Sequence, residues 1–214
     1  MAEFIPNKGN YRQLKVYQVT ESIYDTAFYF AHHYLEKGDR TTDQMIQAAR
    51  SCKQNIVEGS AAATMSSETE LKLMNVARAS LQELLQDYED YLRVHGMKMW
   101  QYDDPRCVQT RHVLRQHNES SFYRERLPLR SAETIANIAI TMIHQEDVML
   151  RRLIDRLKRD FLLNGGVREQ MSRARREYRA NQTEQTEQAN QANQANQANR
   201  TNPPNPQTPP NRSD

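Results

Sequence analysis

Arginine is concentrated in one stretch of this sequence. From Arg151 to Arg179 there are ten basic side chains and four acidic ones, and nine of the ten are arginine. Arg152, Arg156 and Arg159 step by four and three, which puts them on one face of a helix. That face lies away from Leu150, Leu153, Leu157 and Phe161. Arg168, Arg173, Arg175, Arg176 and Arg179 extend the charge. A guanidinium can hold a phosphate through two parallel N–H donors. Five such contacts would give a salt slope of roughly −4 to −5 on duplex DNA, or about −3.5 on a single strand. The pattern predicts contact with RNA or DNA. The competing reading is a solvated or interface charge with local ion pairs, Asp155 to Arg151, Arg152 or Arg159 and Glu169 to Arg173.

Other chemistry is sparse. The six glycines are too scattered for a phosphate-cradling loop, and no Gly-x-Ser-x-Gly turn occurs. A carboxylate-bridged di-iron site in a helical bundle needs Glu-x-x-His on two helices, and no glutamate here has a histidine three residues later. Cys107, His112 and His117 form the one Cys/His cluster. Steps of five turn ~140° each on a helix, so the three share no face. His32 and His33 point about 100° apart. His95 reads as a boundary histidine near a helix end, and Cys52 as a small hydrophobe in an apolar stripe. The expectation is a protein that is not an enzyme, with no catalytic residues, metal or cofactor.

These residues must be positioned by helices. Pro6, Pro105 and Pro128 are the only prolines before residue 181, and long unbroken segments lie between the glycines. A first helix is predicted over about 11–36, with a stripe of Tyr17, Tyr24, Ala27, Ala31 and Tyr34 flanked by Ile23 and Phe30. It stops at Gly38. A second covers about 42–63, capped by Thr41 or Thr42, with Met45, Ala49, Cys52 and Ile56 stepping by four, three and four. Gly59 inside it costs a lone helix ~1 kcal/mol against alanine, which implies a packing reason. The third, about 67–95, opens on the capping box Ser67-Glu68-Thr69-Glu70. Met74, Ala77, Leu81, Leu84, Tyr88, Tyr91 and His95 then hold a heptad seam over ~43 Å.

Residues 97–130 form a connector. Asp104-Pro105 starts a short helix to about His117, and Phe122 to Leu129 reads as irregular. A fourth long helix, 131–163, is capped by Ser131. Ala139, Ile143, Leu150, Ile154, Leu157 and Phe161 form its stripe. A short basic helix follows over 167–180. The economical fold is an all-α, up-and-down four-helix bundle over 1–164, with the connector inserted between helices three and four.

Composition sets limits. Only 37% of the 214 residues are hydrophobic, and the mean hydropathy is −0.92. Residues 181–214 hold no apolar side chain except four alanines, and without them the fraction is about 42%, an ordinary globular value. That segment repeats Gln-Thr-Glu twice and Gln-Ala-Asn four times before a proline-rich end. It cannot bury enough surface to offset ordering entropy, and is predicted to be disordered. The net charge of +2 averages a −3 body over 1–150, a +6 strip over 151–180 and a −1 tail. No apolar run spans a membrane. The first residues do not form a secretory signal, and two cysteines are too few for a disulfide framework. A cytoplasmic location is expected.

Several segments resemble a known family. Leu14-Lys15-Val16-Tyr17, Gln44 through Ser51, Asn55-Ile56-Val57-Glu58-Gly59 and Ala77-Arg78-Ala79-Ser80-Leu81-Gln82-Glu83-Leu84 are similar to the four-helix-bundle proteins encoded in 23S rRNA intervening sequences. The long connector resembles the variant called the four helix bundle suffix domain. Members are related to the accessory variability protein of diversity-generating retroelements. The resemblance implies a homo-oligomer in the form of a ring-shaped pentamer. It also implies a basic surface and partners such as a reverse transcriptase and nucleic acid. It carries over no catalytic residue. Asn55, Glu58 and Gly59 become the family's structural motif, with Asn55 and Glu58 bonding neighbouring helices and Gly59 admitting a close crossing. Two functions follow as expectations: an oligomeric accessory or scaffold that contacts RNA or DNA through the arginines, or an assembly module that binds only protein.

Overall fold

A computed structural model describes residues 10–201, with side chains to residue 194. Among the described residues the chain is all helical, with no strand. Helices α1 (Lys15–Tyr34), α2 (Arg40–Ala62), α3 (Ser67–Val94) and α6 (Ala132–Asn164) are long. Between α3 and α6 lie the short α4 (Pro105–Gln116) and α5 (Ser120–Arg124). Helix α7 (Val167–Thr201) ends the described chain, and 3-10 turns occupy Tyr11–Gln13 and Leu127–Leu129. The chain divides into two compact units, Met1–Arg168 and Glu169–Asp214.

In the first unit α1 packs on α2 and α6, and α3 packs on α2 and α6. Each long helix contributes a stripe. Ile23, Ala27 and Phe30 meet Met45, Ala49, Cys52 and Ile56, Met74, Leu81, Leu84 and Tyr88, and Ile135, Ala139 and Ile143, all essentially without exposure. The α1 stripe is rotated from the tyrosine edge expected of it. Val16, Val19, Ile23, Ala27 and Phe30 are buried, while Tyr17, Tyr24 and Tyr34 are half-buried at the rim. An amphipathic ring stays where its hydroxyl reaches water or a carbonyl, as when Tyr34 Oη donates to the Arg130 carbonyl at 2.7 Å.

Several ends differ by a few residues from the sequence reading. Helix α2 is capped by Asp39, which accepts from the Thr41 amide at 2.8 Å, rather than by Thr41 or Thr42. Ser66, not Ser67, caps α3 by accepting from the Thr69 amide at 3.2 Å. Ser131 caps α6 as expected, accepting from the Thr134 amide. Gly165 ends α6 at φ +72°, a left-handed conformation open to glycine at no steric cost.

The connector is built rather than loose. Asn137 Nδ2 donates to the Lys98 carbonyl at 2.9 Å, and its Oδ1 accepts from the Trp100 amide at 2.7 Å. Cys107, Leu114, Tyr123 and Leu127 are buried. The stretch 122–129, expected to be irregular, contributes to α5 and to a 3-10 turn. Burial of Tyr123 and Leu127 supplies the packing that the local sequence does not advertise.

In the second unit α7 is exposed almost throughout. It continues past Ala180 to Thr201, where the sequence reading ended a short helix and began a disordered tail. Glutamine, alanine and glutamate are good helix formers, and the triplets contain no glycine or proline. The first proline of the tail is Pro203, and residues 202–214 lie outside the described ones. No helix among the described residues is long and apolar enough to cross a membrane.

Candidate functional site

The second half of α6 presents the arginines. From Leu150 onward only Leu150, Ile154 and Leu157 are buried, a narrow seam that leaves most of the circumference in water. Arg152, Arg156 and Arg159 are exposed on the outer side. Seven residues at 1.5 Å each spread them over ~10 Å of helix. The expected pairing with Asp155 does not form. Arg151 instead pairs with Asp147 on the preceding turn at 2.9 Å, and Arg159 Nε donates to the Asp155 backbone carbonyl at 3.3 Å. Arg152, Arg156 and Arg159 have no carboxylate within salt-bridge distance among the described residues. Asp147 is already engaged, since Arg78 Nε of α3 donates to it at 2.6 Å. Asp155 and Asp160 lie within the strip and are exposed, but neither comes within salt-bridge distance of its arginines among the described residues.

The remaining arginines fall differently. Arg168 is exposed and its charge helps lower the carboxyl of Glu68, after two hydrogen bonds, one of them from Ser66. Arg173, Arg175, Arg176 and Arg179 are exposed on α7 in the second unit, where Arg175 and Arg179 stand one turn apart. The eight arginines therefore belong to two units, four in each.

Asn55, Glu58 and Gly59 fall into unlike surroundings. Gly59 is buried against α3. A Cβ there would stand 2.9 Å from Met74 Cε and 3.4 Å from Leu73 Cβ, so any side chain at this position must displace the Met74 methyl and press on α3. Asn55 bonds its own helix, donating to the Ser51 carbonyl at 2.8 Å. The link to α3 runs through the Ser51 and Ser80 hydroxyls, 2.9 Å apart. Glu58 is exposed and makes no cross-helix bond among the described residues, so the cross-helix role expected for Asn55 and Glu58 passes to Ser51.

Cys107, His112 and His117 take separate partners. Cys107 is buried and accepts from Arg111 Nη1 at 3.0 Å. His112 lies 3.2 Å from Gln116, and His117 stacks on Phe122 at 3.9 Å. No group of three or more His, Cys, Asp or Glu side chains converges among the described residues. His95 is exposed and stacks on Tyr91 at 4.1 Å.

One chemically unusual group escaped the sequence reading. Glu146 of α6 is fully buried. Its Oε1 lies 3.1 Å from Thr20 Oγ1 of α1, and its Oε2 has no hydrogen-bond partner among the described residues. Burial holds this carboxyl well above the usual carboxylate range; the Thr20 contact lowers it and Asp147 adds to the rise. Thr20 already donates to the Val16 carbonyl at 2.6 Å. The Thr20 hydroxyl thus lies within donating reach of both the Val16 carbonyl and Glu146 Oε1. Cys52 of α2 shares this pocket of polarity, and its thiol is pushed up by burial and then by Glu146. The signal was present in the register. The α6 stripe steps from Ile143 to Leu150, and Glu146 occupies the seam position between them.

No family model, curated protein or solved structure matches the chain.

Proposed function

We propose that this protein is a non-enzymatic, oligomeric helical accessory or scaffold that contacts RNA or DNA through Arg152, Arg156 and Arg159. In this reading α1, α2, α3 and α6 make an up-and-down four-helix bundle, and residues 97–130 are an insertion between its last two helices. One observation carries the nucleic-acid assignment: three exposed guanidiniums share one face of α6 with no carboxylate within salt-bridge distance among the described residues. Their charge is available to a polyanion without breaking an ion pair. The resemblance to proteins of 23S rRNA intervening sequences adds a ring-shaped homo-pentamer and a reverse transcriptase as further partners. The test is binding of a structured RNA and a duplex DNA by fluorescence anisotropy from 50 to 300 mM salt. Arg152, Arg156 and Arg159→Gln together should weaken binding and flatten its salt dependence. Salt-independent binding, or no change in the triple variant, overturns the assignment.

A second reading has its own support. Leu162 and Leu163 are 80% and 79% exposed directly after the arginine face, and such apolar anchors suit a protein partner. In a protein-only assembly module, Leu162→Gln with Leu163→Gln lowers the native mass while the arginine variant leaves it unchanged.

A further inference from the structure

A pocket opens where the connector lies over α6. Val113 of α4, Leu127 of the 3-10 turn, and Ile138 and Met142 of α6 supply an apolar lining. Arg126 and Arg130 line the same pocket, whose volume is about 90 Å³. Leu127, Ile138 and Met142 are buried side chains, so the inner wall is fixed by the core rather than by mobile surface groups.

The two arginines are poorly neutralised. Arg126 is held in place, with Nη1 donating to the Phe122 carbonyl at 2.6 Å and its guanidinium 3.7 Å from the Phe122 ring centre. The carboxylate within salt-bridge distance of it among the described residues, Glu125, approaches only to 3.7 Å and is itself largely exposed, a geometry that neutralises little. Arg130 has no carboxylate within salt-bridge distance among the described residues. Burial, then the nearby charge of Arg126, holds the Arg130 guanidinium below its ordinary value. Two cations are therefore close enough to repel each other beside an apolar recess. An anion seated between them relieves that repulsion, and an apolar body attached to it fills the recess. Arg126 is pre-organised by the ring and the carbonyl beneath it, which reduces the entropy lost when it grips a ligand.

We infer that this pocket binds a small monocarboxylate with a short apolar chain, its carboxylate held by Arg126 and Arg130 and its chain lying against Val113, Leu127, Ile138 and Met142. The size limit follows from the volume. A dry cavity of about 150 Å³ takes up benzene, so the smaller recess suits a short acyl chain whose head remains at the mouth. The site is separate from the α6 arginine face and does not depend on nucleic-acid binding.

Calorimetric titration of the full chain with hexanoate tests this. Hexanamide serves as the neutral isostere and inorganic phosphate as an anion without a chain. Saturable hexanoate binding is expected, at least tenfold tighter than hexanamide or phosphate. Arg130→Gln should weaken it by tenfold or more, and Met142→Phe, which fills the recess, should abolish it. Circular dichroism and the melting temperature verify that each variant folds. Ile138→Val offers a milder change of the same wall if Met142→Phe does not, and should alter hexanoate affinity without altering phosphate binding. Equal binding of hexanoate and hexanamide reduces the site to an apolar cavity, and equal binding of hexanoate and phosphate reduces it to a surface cation pair. Either outcome, or no binding at millimolar hexanoate, overturns the proposal.

Discussion

Glu146→Gln should change how stability depends on pH more than it changes stability itself. The wild-type carboxyl is fully buried and held well above the usual carboxylate range, so the native state keeps it protonated at pH values where the unfolded chain, near 4.3, has released the proton. Over that window the native state binds one proton more than the unfolded state. Unfolding free energy then falls by about 1.4 kcal/mol for each unit rise in pH. The contribution is intact below the unfolded value and is lost progressively as pH rises towards the native one. Glutamine titrates in neither state and removes this slope. As pH rises from 5 the difference between variant and wild type should move in favour of the variant, by at most about 1.4 kcal/mol per pH unit while the native carboxyl stays protonated.

Urea unfolding at pH 5, 6 and 7 measures this, with every other titrating group cancelling in the difference. The absolute stability at a single pH is less informative. The glutamine amide puts an N–H pair where Oε2 now lacks a partner, and one orphaned polar atom replaces another. Parallel stability curves, with a difference constant to within about 0.5 kcal/mol, would show that Glu146 is either hydrated or ionised in the native state. That result would mean that burial does not keep the Glu146 carboxyl protonated in the native state.

Other consequences can be checked separately. Tyr88 is fully buried with a hydroxyl that has no partner among the described residues, so Tyr88→Phe should raise unfolding stability by about 1 kcal/mol. The Asp87 carboxyl is raised to about 6 by burial and by Asp90 and Glu83, so native Asp87 loses stability as pH rises from about 4 towards 6. Asp87→Asn should melt higher than wild type at pH 7 and lose that advantage at pH 4. Gly59→Val should cost about 3 kcal/mol through overpacking against Met74 and Leu73; a neutral result in urea unfolding would mean that α2 and α3 separate freely there.

Much of the fold was legible because its signals were local and repeated. The heptad seam from Met74 to Tyr91 is buried as its spacing implied, and Asp104-Pro105 starts α4 where the cap and first-turn proline required. Errors fell where tertiary packing decides. Tyr17, Tyr24 and Tyr34 have the right period, yet Val16 and Val19 take the core, because periodicity cannot say which of two adjacent apolar edges faces inward. The cap of α2 moved to Asp39, since several oxygens near the start could serve. Glu146 was missed for a different reason. A search for apolar residues at helical spacing passes over a carboxylate that keeps the spacing. The pocket beneath the connector was invisible because its walls come from segments distant in sequence, and no short motif joins Arg126 to Met142.

The charge distribution limits what nucleic-acid binding can look like. Residues 1–150 carry a net −3, so the body does not attract a polyanion by bulk charge, and binding must come from local cations. If Arg152, Arg156 and Arg159 act alone, duplex DNA affinity should fall with a salt slope of about −2.7; if all eight arginines engage phosphates, the slope approaches about −7. A chain ending at Arg168 separates the cases. It keeps the unit that holds Arg152, Arg156, Arg159 and Arg168 and loses Arg173, Arg175, Arg176 and Arg179. An unchanged slope after truncation assigns the binding to the arginines of the first unit. A slope that drops by about 3.6 assigns four of the contacts to α7. Binding that disappears entirely on truncation would mean that the α6 face is not the site, however free its guanidiniums are.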